Sequence, residues 1–463
     1  MALDRSLSLL RGCKGGTVEQ LKSQAIRVLA EAAQAGRNFG HRSDASLRSL
    51  LSDADGRSTW LYLPHGPERA LSDAIAQLRA GRGSPYEILE GAGALVIGSA
   101  RACAEGVALS GGSHCDVLLQ THGRDSVITK IISKDGASDG ADGLHRHRNE
   151  AEWLSLVGAE STLFPKVRII QERAQSYSFE MDFFPGYSAA ELIFQRRMSG
   201  SRLAKILVGI YEELRFGLYS RPPVLIGRPD PDMNYVEKIR RRCKLTHAAL
   251  KGVDTPLGVA LGAVLGADRI RVNGRLCPSV PDLLSRIETD PFWRPIIRPR
   301  GVHACHGDLI LEDILVGPGP AYKVMLVDPN PYNQHGLLDL AKTMLSLWVG
   351  YEFVYFDFFE VSVEVGGSED CVSVDVILDA KEFQKEYVEA AERFMQYARI
   401  ELSEVLGLPK NSFDRLVRMA TSLAALAIPA FHLIRHNRPD RALAFAALGI
   451  LHASYALDGD APQ

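Results

Sequence analysis

The sequence predicts an α+β chain, with strands concentrated in its first half and helices dominating its second. Between Gly106 and Ile132, three short β-like runs follow one another with turn residues between them. From Ala189 onward, apolar residues recur at helical spacing with only brief interruptions. At 463 residues the chain exceeds one typical domain, so two or three folding units are expected. A chain of this length can bury a sizeable core without disulfides or metals.

In order, residues 17–35 predict a helix that starts at a Thr and carries Glu19 and Gln20 in its first turn. Residues 43–51 read as a second short helix, 58–64 ("STWLYLP") as a strand, and 68–80 as a helix closed by Gly81. Together they predict a small mixed α/β accessory unit over residues 1–95. Residues 107–109, 116–120 and 126–132 predict strands, 144–158 a helix, and 177–186 ("YSFEMDFFPG") a strand running into a Pro-Gly turn. These make a second unit over residues 96–187. The remainder, 188–463, is expected to be mostly helical. It is interrupted at 306–329, at a polar break near 221–232, and at 359–378. The last reads as a hairpin by its period and its Gly366-Gly367 turn. The final helices fall at 416–426 and 441–455. No internal repeat is present.

Composition excludes several classes. A formal charge of −3 leaves no basic footprint for nucleic acid, and the basic run "KIRRRCK" (238–244) reads as a solvated helix face. Seven cysteines form no C-x-x-C pair and no zinc spacing, which predicts reduced thiols and a cytoplasmic setting, with Cys305 a packing residue. Asp4, Arg5, Arg11 and Lys14 interrupt any signal-peptide core, and no stretch reads as a membrane span. Neither nucleic acid nor membrane is expected as a partner, and the oligomeric state is left open.

The chemistry-bearing residues fit the requirements of phosphoryl transfer. That reaction needs a loop over the phosphates, a Lys on their oxygens, a Glu orienting that Lys, carboxylates for a metal, and an Asp for the attacking hydroxyl. Ser110, Gly111, Gly112 and Ser113 lie between two predicted strands, where glycines let backbone N–H groups approach phosphate. No Walker A pattern occurs. Lys130 is centred in the apolar run "SVITKIIS", so a buried partner is expected. Glu150 in the following helix is the natural candidate and Glu152 the alternative. Further on, His306-x-Asp308 is followed after four residues by Asp313, and Asp328 ends a β-like run fifteen residues later.

From residue 106 to 455 the chain resembles the aminoglycoside phosphotransferase and choline-kinase-like superfamily. "HGDLILEDIL" resembles its H-G-D-(x)4-N-I-L loop, "LVDPNPY…LLDLAK" its D-P segment followed by D-L-A-K, and "SFEMDFFPGYSAAELI" its hinge strand. The resemblance implies a bilobal protein-kinase-like fold, with an antiparallel-sheet N-lobe and a mostly helical C-lobe. It implies ATP (or GTP) and Mg2+ as cofactors and a small-molecule hydroxyl as acceptor. By the same resemblance Asp308 is the catalytic base or positioner, and Asp328 and Asp313 are metal ligands. Lys130 would hold the α/β-phosphates, and Glu180 and Met181 would contact adenine. His306 would brace the loop, and Asp339 would support it from a helix start.

The sequence departs from that pattern at Asp313, where the superfamily places Asn. A catalytically weak or dead nucleotide-binding regulatory module is therefore the alternative. The absence of a convincing A-P-E element argues against protein substrates. The pairs His303/His306 and His145/His147 lack a third zinc ligand. His432, Arg435, His436 and Arg438 read as a solvated helix terminus, with a face toward an anionic substrate as the alternative. Residues 52–58 ("SDADGRS") are similar to the D-x-D-G-[TS] loop of haloacid-dehalogenase phosphatases. That loop follows a buried strand, whereas the preceding residues read as amphipathic helix.

Overall fold

The computed structural model describes residues 46–52, 58–63, 68–80, 88, 95–103, 106–109, 115–122, 125–133, 141–221, 235–297, 304–317, 323–330, 335–365 and 371–459. The expected helix at 17–35 and the loop Ser110, Gly111, Gly112 and Ser113 lie outside these residues. The chain divides into two units, Met1–Gln195 with Leu315–Val327, and Arg196–Ile314 with Asp328–Gln463.

The first unit is built on an antiparallel sheet. Its strands are β1 (Ser46–Ser52), β2 (Ser58–Leu63), β3 (Leu95–Cys103), β4 (Gly106–Leu109), β5 (Asp116–His122), β6 (Asp125–Ser133), β7 (Val167–Glu172) and β8 (Ser176–Asp182). They are ordered β1-β2-β3-β4-β5-β6-β8-β7. Strand period explains its packing: alternate residues of β8 turn inward, burying Tyr177, Phe179 and Met181. Helix α1 (Glu68–Ala80) has the bounds expected from sequence. Helix α2 (Ala141–Val157) follows β6 and buries Ala151, Trp153 and Leu154, with Trp153 edge-on to Phe164 at 4.9 Å.

A second, three-stranded sheet follows. Strand β9 (Tyr187–Ser188) pairs with β12 (Ile314–Val316), which neighbours β13 (Val324–Leu326). Ser188 also caps α3 (Ala189–Phe194), its Oγ accepting from Glu191 N at 3.0 Å.

The second unit is mostly helical. Its helices are α4 (Gly200–Gly217), α5 (Tyr235–Leu250), α6 (Pro256–Gly266), α7 (Val280–Thr289), α8 (Arg294–Ile297), α9 (Gly336–Met344), α10 (Tyr351–Tyr355), α11 (Lys381–Val405), α12 (Phe413–Leu426), α13 (Pro429–His436) and α14 (Pro439–Asp458). A π-helical turn, Leu345–Val349, continues α9. Two glycines let helices approach closely. A Cβ on Gly449 of α14 would come within 2.9 Å of Leu426 on α12, and one on Gly200 would strike the Glu386 backbone of α11. Strands β10 (Arg269–Val272), β11 (Arg275–Pro278), β14 (Phe359–Val365) and β15 (Val372–Leu378) form a small sheet in the order β11-β10-β15-β14. The hairpin expected at 359–378 is present as β14–β15.

Several expectations are corrected. Residues 43–51 are not helical over their described part: "SLRSLLS" suits either period, and pairing with β2 makes it strand β1. A strand therefore does precede "SDADGRS", but it lies in an antiparallel meander, and residues 53–57 are outside the described set. Strands β3, β7, β10 and β11 were not expected. The β2–β3 pair joins strands on either side of residue 95, and the two units meet between Gln195 and Arg196. One stretch, Lys410–His436, is long and apolar enough to cross a membrane, although 78% of its most apolar window is buried inside the protein.

Candidate active site

The first unit contributes a buried ion pair. Lys130 projects from β6 onto the face that α2 covers, and its side chain is 2% exposed. Burying an ammonium costs several kcal/mol unless it is paired. Glu150 supplies the partner, with Nζ 2.5 Å from Oε1. Glu150 faces the sheet because His147 and Leu154 lie three and four residues from it, along one stripe of the helix. His147 is itself buried against Tyr177 and Phe179, with Nε2 3.4 Å from the Lys130 carbonyl, and Nδ1 lies 3.9 Å from Glu150 Oε2. That accounts for His147 as a packing residue, while His145 is exposed. The alternative partner Glu152 is exposed.

Glu180 and Met181 sit in β8 with β6 on one side and β7 on the other, so their peptide groups face partner strands. Met181 pairs with Ile128 and shares the face of Lys130; Glu180 pairs with Thr129 on the opposite face.

The second unit carries the acidic loop, and α9 pins it from beneath. Asp339, fully buried, accepts from Gly307 N (2.5 Å, Oδ1), His306 N (3.0 Å, Oδ2) and Tyr219 Oη (2.9 Å, Oδ2). Burial pushes its carboxyl up to about 7 even with those three donors. One turn further along the helix, Lys342 Nζ lies 2.7 Å from Asp308 Oδ1. Thr343 donates to Leu309 O at 2.9 Å. Ser346 Oγ accepts from Leu311 N at 3.2 Å and donates to Glu352 Oε1 at 2.6 Å. Three side chains from one helical run, Asp339, Thr343 and Ser346, thus fix the backbone of 306–311, and Lys342 holds the Asp308 carboxylate. Gly307 takes φ 84, a left-handed conformation that suits a residue without Cβ.

His306 is fully buried, and its Nδ1 accepts from Asp308 N at 3.2 Å. It braces the loop and does not reach solvent. Asp308 keeps a side chain that is 35% exposed. Burial works against its ionisation, but the Lys342 ammonium and its hydrogen bond, helped by His306 and Lys238, hold the carboxyl below the usual range. Asp313 is half-buried at the end of the loop. Asp328 is exposed and adopts φ 58, an uncommon conformation for a residue with a Cβ and one that gathers at functional sites. Two residues on, Asn330 N donates to His306 O at 2.6 Å, while its Oδ1 is buried with no protein hydrogen-bond partner.

The structure therefore brings Lys130 to Glu150, and joins His306 and Asp308 through Asp339 and Lys342. Lys342, Thr343, Ser346, Glu352 and Asn330 were missed. The available signal was that Lys342 stands one helical turn after Asp339. Cys305 is buried in the core as expected, and burial pushes its thiol up. Among the described residues no group of three or more His, Cys, Asp or Glu is arranged to hold a metal ion, and His303 lies outside them.

No family model matches the sequence, and no curated protein matches it. Among solved structures, an aminoglycoside-3'-phosphotransferase of type VIII aligns at 17% identity over 69% of this chain and 92% of that one, with a TM-score of 0.35. Rad53 in complex with AMP-PNP aligns at 11% identity over 84% of this chain and 76% of that one, with a TM-score of 0.28. These likenesses are remote. Along the chain, a strand Lys paired to a helix Glu is followed by strand β8, the His306-Gly307-Asp308 loop and Asp328.

Proposed function

We propose that the chain is an ATP- and Mg2+-dependent phosphotransferase acting on a hydroxyl of a small molecule, with GTP the other candidate donor. One observation carries this: Asp308 is kept ionised by Lys342 on a loop whose backbone is locked by Asp339. A positioned carboxylate is what an attacking hydroxyl needs, and the buried Lys130–Glu150 pair supports a second, phosphate-holding element.

In the reaction the acceptor oxygen forms a bond to the γ-phosphorus as the bond to the β–γ bridging oxygen breaks. The hydroxyl proton passes to Asp308, and the nucleoside diphosphate leaves. Because the Lys342 ammonium lowers the basicity of Asp308, its role is to orient the hydroxyl and take the proton late. Lys130 would hold the phosphate oxygens, with Glu150 keeping its ammonium aimed.

Mg2+ takes few protein ligands, usually one or two carboxylates together with substrate phosphates. Asp313 and Asp328 fit that demand, and the orphaned Asn330 Oδ1 adds a neutral oxygen of the same type. When bound, the cation neutralises charge on the transferring phosphoryl group.

Asp313 motivates the second reading, a nucleotide-binding module of weak or absent turnover. The discriminating measurement is turnover of [γ-32P]ATP with a panel of hydroxyl acceptors, for wild type, Asp308→Asn and Asp313→Asn. Transfer that is lost in Asp308→Asn supports the phosphotransferase. A large gain in Asp313→Asn over an inactive wild type supports the regulatory module instead. Absence of transfer in all three proteins would overturn the phosphotransferase reading.

A further inference from the structure

Phosphoryl transfer spreads negative charge over the oxygens of the moving group, and a cation beside the acceptor-holding carboxylate would balance it. The loop itself supplies none, since Leu309, Ile310, Leu311 and Glu312 separate Asp308 from Asp313. Several basic groups of the second unit are already spent on acidic partners. Arg438 and Arg441 are held by Asp357, and Arg438 also by Asp440. The cluster expected as a solvated helix terminus is therefore partly inside the protein, with His432 fully buried.

Lys342 is placed differently. Its Nζ lies 2.7 Å from Asp308 Oδ1, and among the described residues that is its one polar partner. An ammonium carries further N–H donors, which stay unspent here. The Lys342 side chain is 19% exposed and that of Asp308 35%, so the pair stands at an opening and not under the core. Asp339 and Thr343, on either side of Lys342 in α9, bond the backbone of His306, Gly307 and Leu309, which holds this helix against the loop. Distance then limits what the ammonium can meet. A hydroxyl held by Asp308 lies about 2.6–3.2 Å from the carboxylate. The phosphorus it attacks lies about 3–3.5 Å beyond. A flexible lysine already on the same carboxylate reaches the oxygens of that phosphorus.

We propose that Lys342 is a catalytic residue, donating to an oxygen of the transferring phosphoryl group while Asp308 receives the acceptor hydroxyl. The proposal rests on the phosphotransferase reading. As the acceptor oxygen bonds to the γ-phosphorus and the bond to the bridging oxygen breaks, Lys342 keeps its protons and balances the spreading charge. The hydroxyl proton passes to Asp308, which neutralises the carboxylate and frees the ammonium for the new phosphate.

The test is calorimetric titration of the full chain with ADP and Mg2+, with and without aluminium fluoride, which together with ADP imitates the moving phosphoryl group. No acceptor is added. Wild type, Lys342→Met, Lys342→Gln, Asp308→Asn and Lys238→Met are compared, because the charge of Lys238 also acts on Asp308. Aluminium fluoride should tighten ADP binding to wild type by about 10²-fold or more. Lys342→Met should lose most of that gain while binding ADP alone as wild type does, and Lys342→Gln repeats the measurement should the methionine variant unfold. Asp308→Asn removes a like charge and leaves the ammonium, so its gain should equal or exceed that of wild type. Equal losses in Lys342→Met and Asp308→Asn would mean that Lys342 acts only through the carboxylate, and overturn the proposal. A full gain in Lys342→Met, or a loss confined to Lys238→Met, overturns it too. A wild type that binds ADP with no gain from aluminium fluoride overturns this proposal and leaves nucleotide binding standing. A wild type that binds no nucleotide overturns the phosphotransferase reading along with it.

Discussion

The contact between Lys342 and Asp308 sets two opposing effects on one carboxylate. The ammonium keeps it ionised and in place, but also makes it a weaker base. Position outweighs basicity here, because a displacement of about 1 Å in a reacting group can cost on the order of 10²-fold in rate. Lys342→Met should therefore lower kcat by about that factor. With the ammonium gone, burial is left to raise the Asp308 pKa, and the proposed reaction needs the carboxylate. The acid limb of the kcat–pH profile should consequently move to higher pH. An unchanged limb would mean that Lys342 only supports the fold. None of this pairing was legible beforehand: Lys342 was visible as part of D-L-A-K, yet its partner lies 34 positions away in sequence.

At the scale of elements, the Lys130–Glu150 pair predicts an asymmetry. Glu150→Ala strands an ammonium that is 2% exposed, which costs about 3–5 kcal/mol. Lys130→Met also leaves a charge unpaired, but on a carboxylate that is 14% exposed and with an apolar side chain of similar length set against Phe179, so it should cost less than Glu150→Ala. Melting curves of the two variants test this, and an equal loss in both would contradict it. Glu352 of α10, which accepts from Ser346 of the π-turn, carries a second effect. Glu352 is fully buried and burial pushes it to about 7, well above its ordinary 4.5. A carboxyl raised in the folded state contributes stability that is complete below its unfolded pKa and is lost as pH rises toward 7. Glu352→Gln, which can still accept from Ser346, should flatten that fall and raise stability at pH 8 by at most about 3 kcal/mol. Measuring unfolding midpoints from pH 5 to pH 8 checks it. Elements were legible where one period dominates, as in the hairpin 359–378. They were missed where a signal was passed over: "RIRVNGRLCP" holds an Asn-Gly pair between alternating residues, and Asn273 and Gly274 take φ 47 and 76 in the β10–β11 turn. Strand β1 was misread because its short run fits both periods and only its pairing with β2 decides.

For the whole molecule, the division of chemistry between the two units gives the most demanding prediction. Lys130 belongs to the first unit and Asp328 to the second. On the proposed function, each unit is tested for nucleotide binding by a variant of its own. Mg2+-ATP at about a hundred times its dissociation constant should then stabilise the wild type by about 2.7 kcal/mol, seen as a rise in melting temperature. Lys130→Met and Asp328→Asn should each abolish most of that rise, while the melting temperature of Asp328→Asn without ligand stays close to wild type. The second condition matters for Asp328, because it is exposed and held at φ 58, where Asn is tolerated as readily as Asp. A shift lost in Asp328→Asn alone would confine nucleotide binding to the second unit and leave the Lys130–Glu150 pair a packing device. A shift kept in both variants would remove these residues from any nucleotide site, whatever the chain is later found to bind.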